Sequence, residues 1–259
     1  MKRSALVLAG LLLSSTASAD TVRIALIMGN DLGDADDERL RFAETDAVKV
    51  AEVLRDLGGF RAEDTIVLLG GDARAARRAL IGANDRIRSL VSAGTEVLFL
   101  VYYSGHADAR GLHMGRSTLE VSEVEQLVRG SPATIRLLVL DSCRSGAVTR
   151  VKGGRRGPPL EIRLDERLAG EGVVFLTASA ASENAQESDE IRGSFFTHHL
   201  VSGLLGAADA DGNGQISVEE AYRYAYEQQE GSGSQTEVGL ATPFVGVVLA
   251  GIGTRLALP

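Results

Sequence analysis

The strongest constraint on the fold is a repeated alternation between continuous apolar runs and amphipathic stretches. The runs are rich in valine, isoleucine and leucine, and they cover Val22–Met28, Thr65–Leu69, Val97–Tyr103, Ile135–Leu140 and Val173–Ala178. Short uninterrupted runs of this kind are typical of strands buried on both faces. The intervening stretches carry apolar residues three or four positions apart, as helices do, and they cover Ala43–Leu57, Ala73–Ser92 and Glu120–Arg129. We therefore predict an α/β fold in which helices cover both faces of a mostly parallel sheet.

The second half of the chain departs from this alternation. Gly146–Pro159 is rich in glycine and proline and has neither helical nor strand periodicity, so we predict an exposed loop over residues 146–165. The basic residues of this loop are Arg150, Lys152, Arg155 and Arg156. Further on, the pattern predicts helices at Phe195–Leu205 and Val218–Gln228 and one or two edge strands within Val245–Leu256.

The amino terminus is typical of an export signal. Two basic residues precede the apolar segment Ala5–Leu13, and Ala17–Ala19 offers small residues for cleavage. We expect a signal peptide over residues 1–19, and a single domain over residues 20–259 that acts in the periplasm or outside the cell. The alternative is an uncleaved, buried helix.

Charge and hydropathy argue against two classes of partner. The net charge of −8 provides no basic surface for phosphates, so we do not expect nucleic acid binding. After the first segment, no stretch approaches the roughly 20 apolar residues that a membrane helix requires. The pattern predicts no particular oligomeric state.

Two strand ends carry residues suited to nucleophilic catalysis. His106 follows Val97–Tyr103, and Cys143, the only cysteine of the sequence, follows Ile135–Leu140. The ends of parallel strands lie at one edge of a sheet, where ligands collect. A cysteine nucleophile needs a base and donors for the oxyanion, which His106 and the backbone near Cys143 can supply. The other histidines are predicted to lie away from this chemistry, in a hairpin and on a helix face, and they are His113, His198 and His199.

The single cysteine does not by itself indicate catalysis. Exported chains usually carry cysteines in pairs, and Cys143 cannot form an internal disulfide. It is therefore an inert buried residue, an intermolecular bridge or a thiol kept for its reactivity.

Both strand ends lie in segments that resemble the caspase-like cysteine peptidases, especially the bacterial and metacaspase-type members. The segments are VYYSGHADARG around His106 and LLVLDSCRSG around Cys143. The resemblance implies a three-layer sandwich with a six-stranded, mostly parallel sheet. It also implies a dyad of Cys143 and His106 that hydrolyses protein or peptide substrates without a cofactor, the oxyanion being held by the N–H groups of Cys143 and Ala107. Position 107 is more often glycine in the family, which matters only if this residue adopts a positive φ.

The resemblance also indicates a substrate preference. In metacaspase-like members two aspartates line the primary specificity pocket, and the matching residues here are Asp46 and Asp141. We therefore expect cleavage after Arg or Lys, and self-processing in the basic loop. Asp141 ends a buried strand, where its carboxylate needs a cationic or donor partner. The alternative role for Asp46 is to cap its own helix.

A calcium-loop pattern lies in the last quarter of the chain. Asp209–Glu220 has oxygen ligands at loop positions one, three and five, glycine at six and glutamate at twelve. The predicted ligands are Asp209, Asp211, Asn213, the Gln215 carbonyl and Glu220, with Ser217 direct or through water. The alternative is a polar connector between two helices.

Two other functions fit parts of the sequence. One is a catalytically silent caspase-like module that binds peptides or partners and carries a calcium loop; the presence of both His106 and Cys143 weighs against it. The other is a calcium-dependent structural or adhesion protein, for which one loop without repeats is weak support.

Overall fold

A parallel sheet forms the centre of the protein. The computed structural model describes residues 21–108, 110–142, 172–178, 187–231 and 248–251. Within these residues the strands of the sheet are β1 (Val22–Asn30), β2 (Thr65–Leu69), β3 (Val97–Gly105), β6 (Ile135–Asp141) and β7 (Gly172–Ala178). Their order is β2-β1-β3-β6-β7, and every neighbouring pair is parallel. The predicted α/β fold is confirmed, and the described residues supply five of the six strands that the resemblance implies.

Helices cover both faces of the sheet. They are α1 (Ala43–Asp56), α2 (Ala73–Ser92), α3 (Val121–Arg129), α4 (Phe195–Ser202) and α5 (Val218–Gly231). Side chains alternate along a strand, so each face has its own core. On β1, Ala25 and Ile27 pack with α1, α4 and α5, whereas Leu26 and Met28 pack with α2 and α3. The expected three layers are therefore present.

In the described part of the chain, three short antiparallel pairs lie outside the central sheet. They join β4 (Gly111–His113) to β5 (Thr118–Glu120), β8 (Glu187–Ser188) to β9 (Gly193–Ser194), and β10 (Gln215–Ser217) to β11 (Val248–Gly251). A 3-10 turn at Ala62–Asp64 precedes β2. The strand predicted within Val245–Leu256 is described at β11, where it pairs with the middle of the calcium-loop pattern.

The helix predicted at Phe195–Leu205 ends early. Helix α4 stops at Ser202, and the chain continues as a wider π-type turn over Gly203–Ala207. Gly206 within that turn has a φ of +123°, a conformation that favours glycine and cannot continue an α-helix.

Three sequence predictions fall on residues outside the described ranges. They concern the signal peptide over residues 1–19, the nucleophile Cys143 and the basic loop over residues 146–165. Within the described ranges, no helix combines the length and the apolar character needed to cross a membrane.

Candidate active site

His106 lies directly after β3, at the carboxyl edge of the sheet. Its side chain is buried, and ring Nε2 lies 2.7 Å from the carbonyl oxygen of Glu38. A carbonyl oxygen can only accept a hydrogen bond, so Nε2 carries the ring proton and is the hydrogen-bond donor. Nδ1 is then the basic nitrogen of His106. A general base that accepts a proton on the side of the ring away from Glu38 requires this tautomer.

The bend into His106 depends on glycine at position 105. Gly105 has a φ of +155°, and a Cβ there would collide with the Tyr103 hydroxyl and lie 3.0 Å from the Asn30 carbonyl. The buried Tyr103 hydroxyl lies 2.9 Å from the carbonyl oxygens of both His106 and His113. Burial raises the pKa of Tyr103, so the hydroxyl stays protonated and holds the backbone on either side of the bend.

The strand register brings the His106 segment beside the segment that precedes Cys143. Ser104 on β3 is the register partner of Asp141 on β6, and these two strands are direct neighbours. His106 follows Ser104 by two positions, and Cys143 follows Asp141 by two. Cys143 itself lies outside the described residues, but two residues of chain reach at most about 7 Å.

Ala107, the predicted second oxyanion donor, pairs with Leu112 in an isolated antiparallel bridge. The flanking hydrogen bonds run from the His113 N–H to the His106 carbonyl and from the Asp108 N–H to the Gly111 carbonyl. Ala107 and Leu112 are therefore a non-hydrogen-bonded pair, and the Ala107 N–H points away from β4. The described non-glycine residues with positive φ do not include Ala107, so alanine in place of glycine introduces no backbone strain.

Sequence reasoning missed the environment of His113. The expected hairpin is present, but the side chain is buried beside the His106 segment. Its Nδ1 lies 2.6 Å from Oδ2 of Asp37, and its Nε2 lies 3.6 Å from Oδ1 of Asp108, beyond hydrogen-bond distance. Burial acts to raise the pKa of Asp37, but hydrogen bonds from His113 and from the Asp34 N–H, together with the nearby imidazoles, hold it below its usual value. No local pattern around His113 indicates this pairing.

Ser194 forms hydrogen bonds with both predicted pocket carboxylates, Asp46 and Asp141. Ser194, at the end of β9, donates its N–H to Oδ2 of Asp46 at 2.6 Å and its hydroxyl to Oδ2 of Asp141 at 2.5 Å. Asp46 lies in the first turn of α1, yet it binds Ser194 and does not cap its own helix. The structure therefore brings together the two aspartates that the resemblance names.

Asp141 is enclosed by hydroxyl donors. Ser194 and Thr197 both donate to Oδ2, and the Tyr102 hydroxyl in turn lies 2.5 Å from Oγ1 of Thr197. Burial raises the pKa of Asp141 to about 6; the two hydroxyl donors oppose this shift, and repulsion from Asp46 and Glu187 adds to it. The donor partner expected for Asp141 is present as two hydroxyls, and no ion pair to it occurs among the described residues.

Asp46 differs from Asp141 because it already has a cation. Nζ of Lys49 lies 3.0 Å from Oδ1 of Asp46 and 2.6 Å from the Arg192 carbonyl. Burial raises the pKa of Asp46 even though Ser194 and Lys49 favour its ionised form. The two carboxylates are thus unequal, and Asp141 is the one that lacks a described cationic partner.

The calcium-loop pattern folds as a compact turn between the π-type turn and α5. Oxygens of Asp209, Asp211 and Glu220 lie within 4.8 Å of one another, close enough to share one ion. The same oxygens accept loop N–H groups: Asn213 donates to Asp209 at 3.0 Å and Ser217 to Glu220 at 2.9 Å. The bond from the Ser217 N–H lowers the pKa of Glu220, which keeps this carboxylate charged.

Comparison with known proteins agrees with the fold. A family model described as the caspase domain matches residues 22–235, which include His106, Asp141 and Cys143. No curated protein matches the chain. Since the family match covers most of the chain, the protein belongs to the caspase-domain family of cysteine peptidases.

Proposed function

We propose that the protein is a cysteine endopeptidase that uses Cys143 as nucleophile and His106 as proton carrier. The observation that carries this proposal is the state of His106: the carbonyl of Glu38 holds the proton on Nε2, at the strand end next to the one that leads to Cys143. A basic Nδ1 at this edge is what a thiol nucleophile needs to form a thiolate.

The reaction then has two stages. Nδ1 of His106 takes the thiol proton, and the sulfur of Cys143 attacks the peptide carbonyl, whose oxygen becomes an oxyanion held by the N–H groups of Cys143 and Ala107. The C–N bond breaks as His106 returns the proton to the leaving amine, which leaves a thioester on Cys143. Water, deprotonated by His106, attacks the thioester, and the acid product leaves as the thiol regains its proton.

Peptide hydrolysis by purified variants tests this proposal. Cys143→Ala and His106→Ala should each abolish turnover while the melting temperature stays close to that of the wild type, because these changes remove reacting groups. His198→Ala, which changes a histidine of α4 whose ring packs against that of His199, serves as the matched control and should keep activity. Substantial turnover by Cys143→Ala would reject a cysteine peptidase.

The acidic residues at the same edge support cleavage after Arg or Lys. Asp141 is a desolvated carboxylate without a described cationic partner, and Asp46 lies on the other side of Ser194. A substrate guanidinium or ammonium would compensate the charge of Asp141, whereas an aspartate would add a second one. Since Lys49 already neutralises part of the Asp46 charge, Asp141 has the larger role.

Peptides that differ only in the residue before the scissile bond test this preference. We expect Arg and Lys peptides to be cleaved, and Asp and citrulline peptides to be poor substrates. Citrulline has nearly the shape of arginine without its charge, so equal cleavage of Arg and citrulline peptides would exclude recognition of charge. A preference for Asp would exclude the acidic pocket altogether.

The loop at Asp209–Glu220 supports calcium binding as a second property. Three of the predicted ligands already lie within 4.8 Å of one another, and the loop order matches the twelve-residue pattern. Calorimetric titration with Ca²⁺ should give one site per chain in the wild type and a much weaker one in Glu220→Gln, which removes the bidentate carboxylate. No heat of binding at millimolar Ca²⁺ would leave the loop as a polar connector.

Export is proposed from residues 1–19 alone. A cleaved signal peptide predicts a mature chain that begins at Asp20 and is recovered from the periplasm or the medium. Intact-mass measurement of the protein from each fraction tests this, and a full-length chain confined to the cytoplasm would reject it.

A further inference from the structure

His106 and His113 lie directly opposite each other in the backbone pairing at the active-site edge. The His113 N–H donates to the His106 carbonyl at 2.9 Å, next to the bridge between Ala107 and Leu112. Residues directly opposite in an antiparallel pair project their side chains to the same face. Both imidazoles are buried, so both meet whatever segment covers that face.

One loop meets both imidazoles through two consecutive residues. Oδ2 of Asp37 lies 2.6 Å from Nδ1 of His113, and the carbonyl of Glu38 lies 2.7 Å from Nε2 of His106. A carboxylate can only accept, so Nδ1 of His113 donates to it. Glu38 directly follows Asp37 in the chain. The bond between His113 and Asp37 therefore holds the backbone whose next carbonyl accepts the hydrogen bond from His106.

The turn that carries Asp37 is closed on itself. Oδ2 of Asp37 also accepts the Asp34 N–H at 2.7 Å, and the Asp37 N–H donates to the Asp34 carbonyl at 3.1 Å. A Cβ at position 33 would overlap the Asp37 side chain, so Gly33 allows this close contact. The side chain of Asp37 is only 9% exposed. Asp37 is therefore held by its own turn and by His113 together.

We propose that Asp37 and His113 form a positioning pair, which holds the Glu38 carbonyl against Nε2 of His106 and so fixes the tautomer and orientation of the proton carrier. Neither residue touches the reacting atoms; each acts through Glu38 and His106. The inference rests on the proposed peptidase function and adds two residues to the machinery of that site.

The pair should affect the rate of chemistry more than substrate binding. If the Glu38 carbonyl shifts, Nε2 of His106 loses this acceptor, and the ring can change its orientation or move its proton to Nδ1, the nitrogen that must accept the thiol proton. Misplacement of a catalytic group by about 1 Å lowers rates about 100-fold. We therefore expect His113→Leu to lower kcat about 10- to 100-fold and to leave KM within about twofold.

A conservative variant separates hydrogen bonding from mere packing. The amide nitrogen of an asparagine at position 113 can take the place of Nδ1 and donate to Asp37, so His113→Asn should recover most of the lost kcat. Asp37→Ala breaks the same pair from the loop and should reproduce the loss seen in His113→Leu. His198→Leu is the matched histidine control, and circular dichroism melting curves report on the fold.

The rate of alkylation of Cys143 by iodoacetamide gives a second readout that needs no peptide substrate. Cys143 is the single cysteine of the sequence, so the measured rate belongs to that thiol alone. His113→Leu and Asp37→Ala should slow alkylation in parallel with kcat, because both weaken the base that generates the thiolate.

The outcomes distinguish this inference from the proposed function. Loss of kcat and of alkylation rate in His113→Leu, with recovery in His113→Asn, supports the positioning pair. Unchanged kcat and alkylation in a folded His113→Leu or Asp37→Ala protein overturns it, as does a loss that His113→Asn does not recover. Should the wild type cleave no peptide, the peptidase proposal fails, and the alkylation rates still decide for or against the pair.

Discussion

Asp141 carries a carboxylate whose ionisation changes when the chain folds. Burial raises its pKa to about 6, although Ser194 and Thr197 donate to its charged form. In an unfolded chain its pKa is about 3.9. Between these values the folded protein keeps a proton that the unfolded chain has released, so the free energy of unfolding decreases as pH rises through this window. Above it, the desolvated charge costs at most about 3 kcal/mol, for a shift of about two pKa units.

Removal of that charge should therefore stabilise the protein at neutral pH. We expect Asp141→Asn to raise the free energy of unfolding by about 1–3 kcal/mol near pH 7.5 and by at most about 1 kcal/mol near pH 4.5, where the folded side chain is still neutral and only the unfolded chain has released its proton. Urea unfolding at both pH values measures the difference. Asp56→Asn, at an exposed position, is the control. An equal effect of Asp141→Asn at both pH values would contradict the raised pKa.

The ionisation of Asp141 should also change substrate preference with pH. Asp141 becomes neutral as pH falls through about 6, so the preference for an Arg peptide over its citrulline analogue should shrink over that range. The titration of the dyad affects both peptides equally, so it cancels in the ratio of their kcat/KM values. In Asp141→Asn the ratio should be low at every pH. A pH-independent high ratio in the wild type would mean that another group recognises the cation.

At the scale of elements, α4 is tied to the sheet by its first turn. Ser194 accepts the Thr197 N–H at 3.0 Å and so caps the helix, while both hydroxyls donate to Asp141 at the end of β6. Thr197 also meets the buried hydroxyl of Tyr102 on β3. One helix start thus satisfies polar groups from two neighbouring strands.

Thr197→Val tests how much this junction contributes. Valine keeps the shape of threonine but leaves Asp141 and Tyr102 each without one hydrogen-bond partner, which should lower the free energy of unfolding by about 1–3 kcal/mol. The loss should be larger above pH 6, where Asp141 is charged and needs its donors. Thr118→Val, at an exposed position of β5, should change little under the same denaturant titration. A pH-independent loss would assign the effect to Tyr102 alone.

Elements were easier to predict than their contacts. The run Thr65–Leu69 and the stretch Ala73–Ser92 coincide with β2 and α2, because their periodicity is local and strong. The contact between Ser194 and Asp46 joins residues 148 positions apart, and no local pattern encodes it. His113 shows the same limit: its hairpin was predicted, but its carboxylate partner comes from a loop that only the tertiary fold brings near.

At the scale of the whole molecule, we expect the chain to tolerate a cut between β6 and β7 without losing the fold. β6 ends at Asp141 and β7 begins at Gly172, and the two strands pair in parallel from Ile135 opposite Gly172 to Asp141 opposite Ala178. Both strands belong to the central sheet, in which β7 follows β6 at the end of the described strand order. A break between them would leave this ladder and both cores in place, so the two pieces should remain associated.

Self-processing in the basic loop is therefore expected to yield a nicked but intact particle. The loop residues lie outside the described ranges, yet their cations match the preference that an acidic pocket predicts. Mass spectrometry of the purified wild type should show fragments that end at Arg150, Lys152 or Arg155. Size-exclusion chromatography should show these fragments eluting together, since the β6–β7 ladder joins them, and denaturant should separate them. Cys143→Ala should remain a single chain, which separates self-cleavage from cutting by host proteases. A wild type that is fully active as one uncut chain would reject self-processing. The proposed dyad would still stand, because His106 and Cys143 both precede the loop.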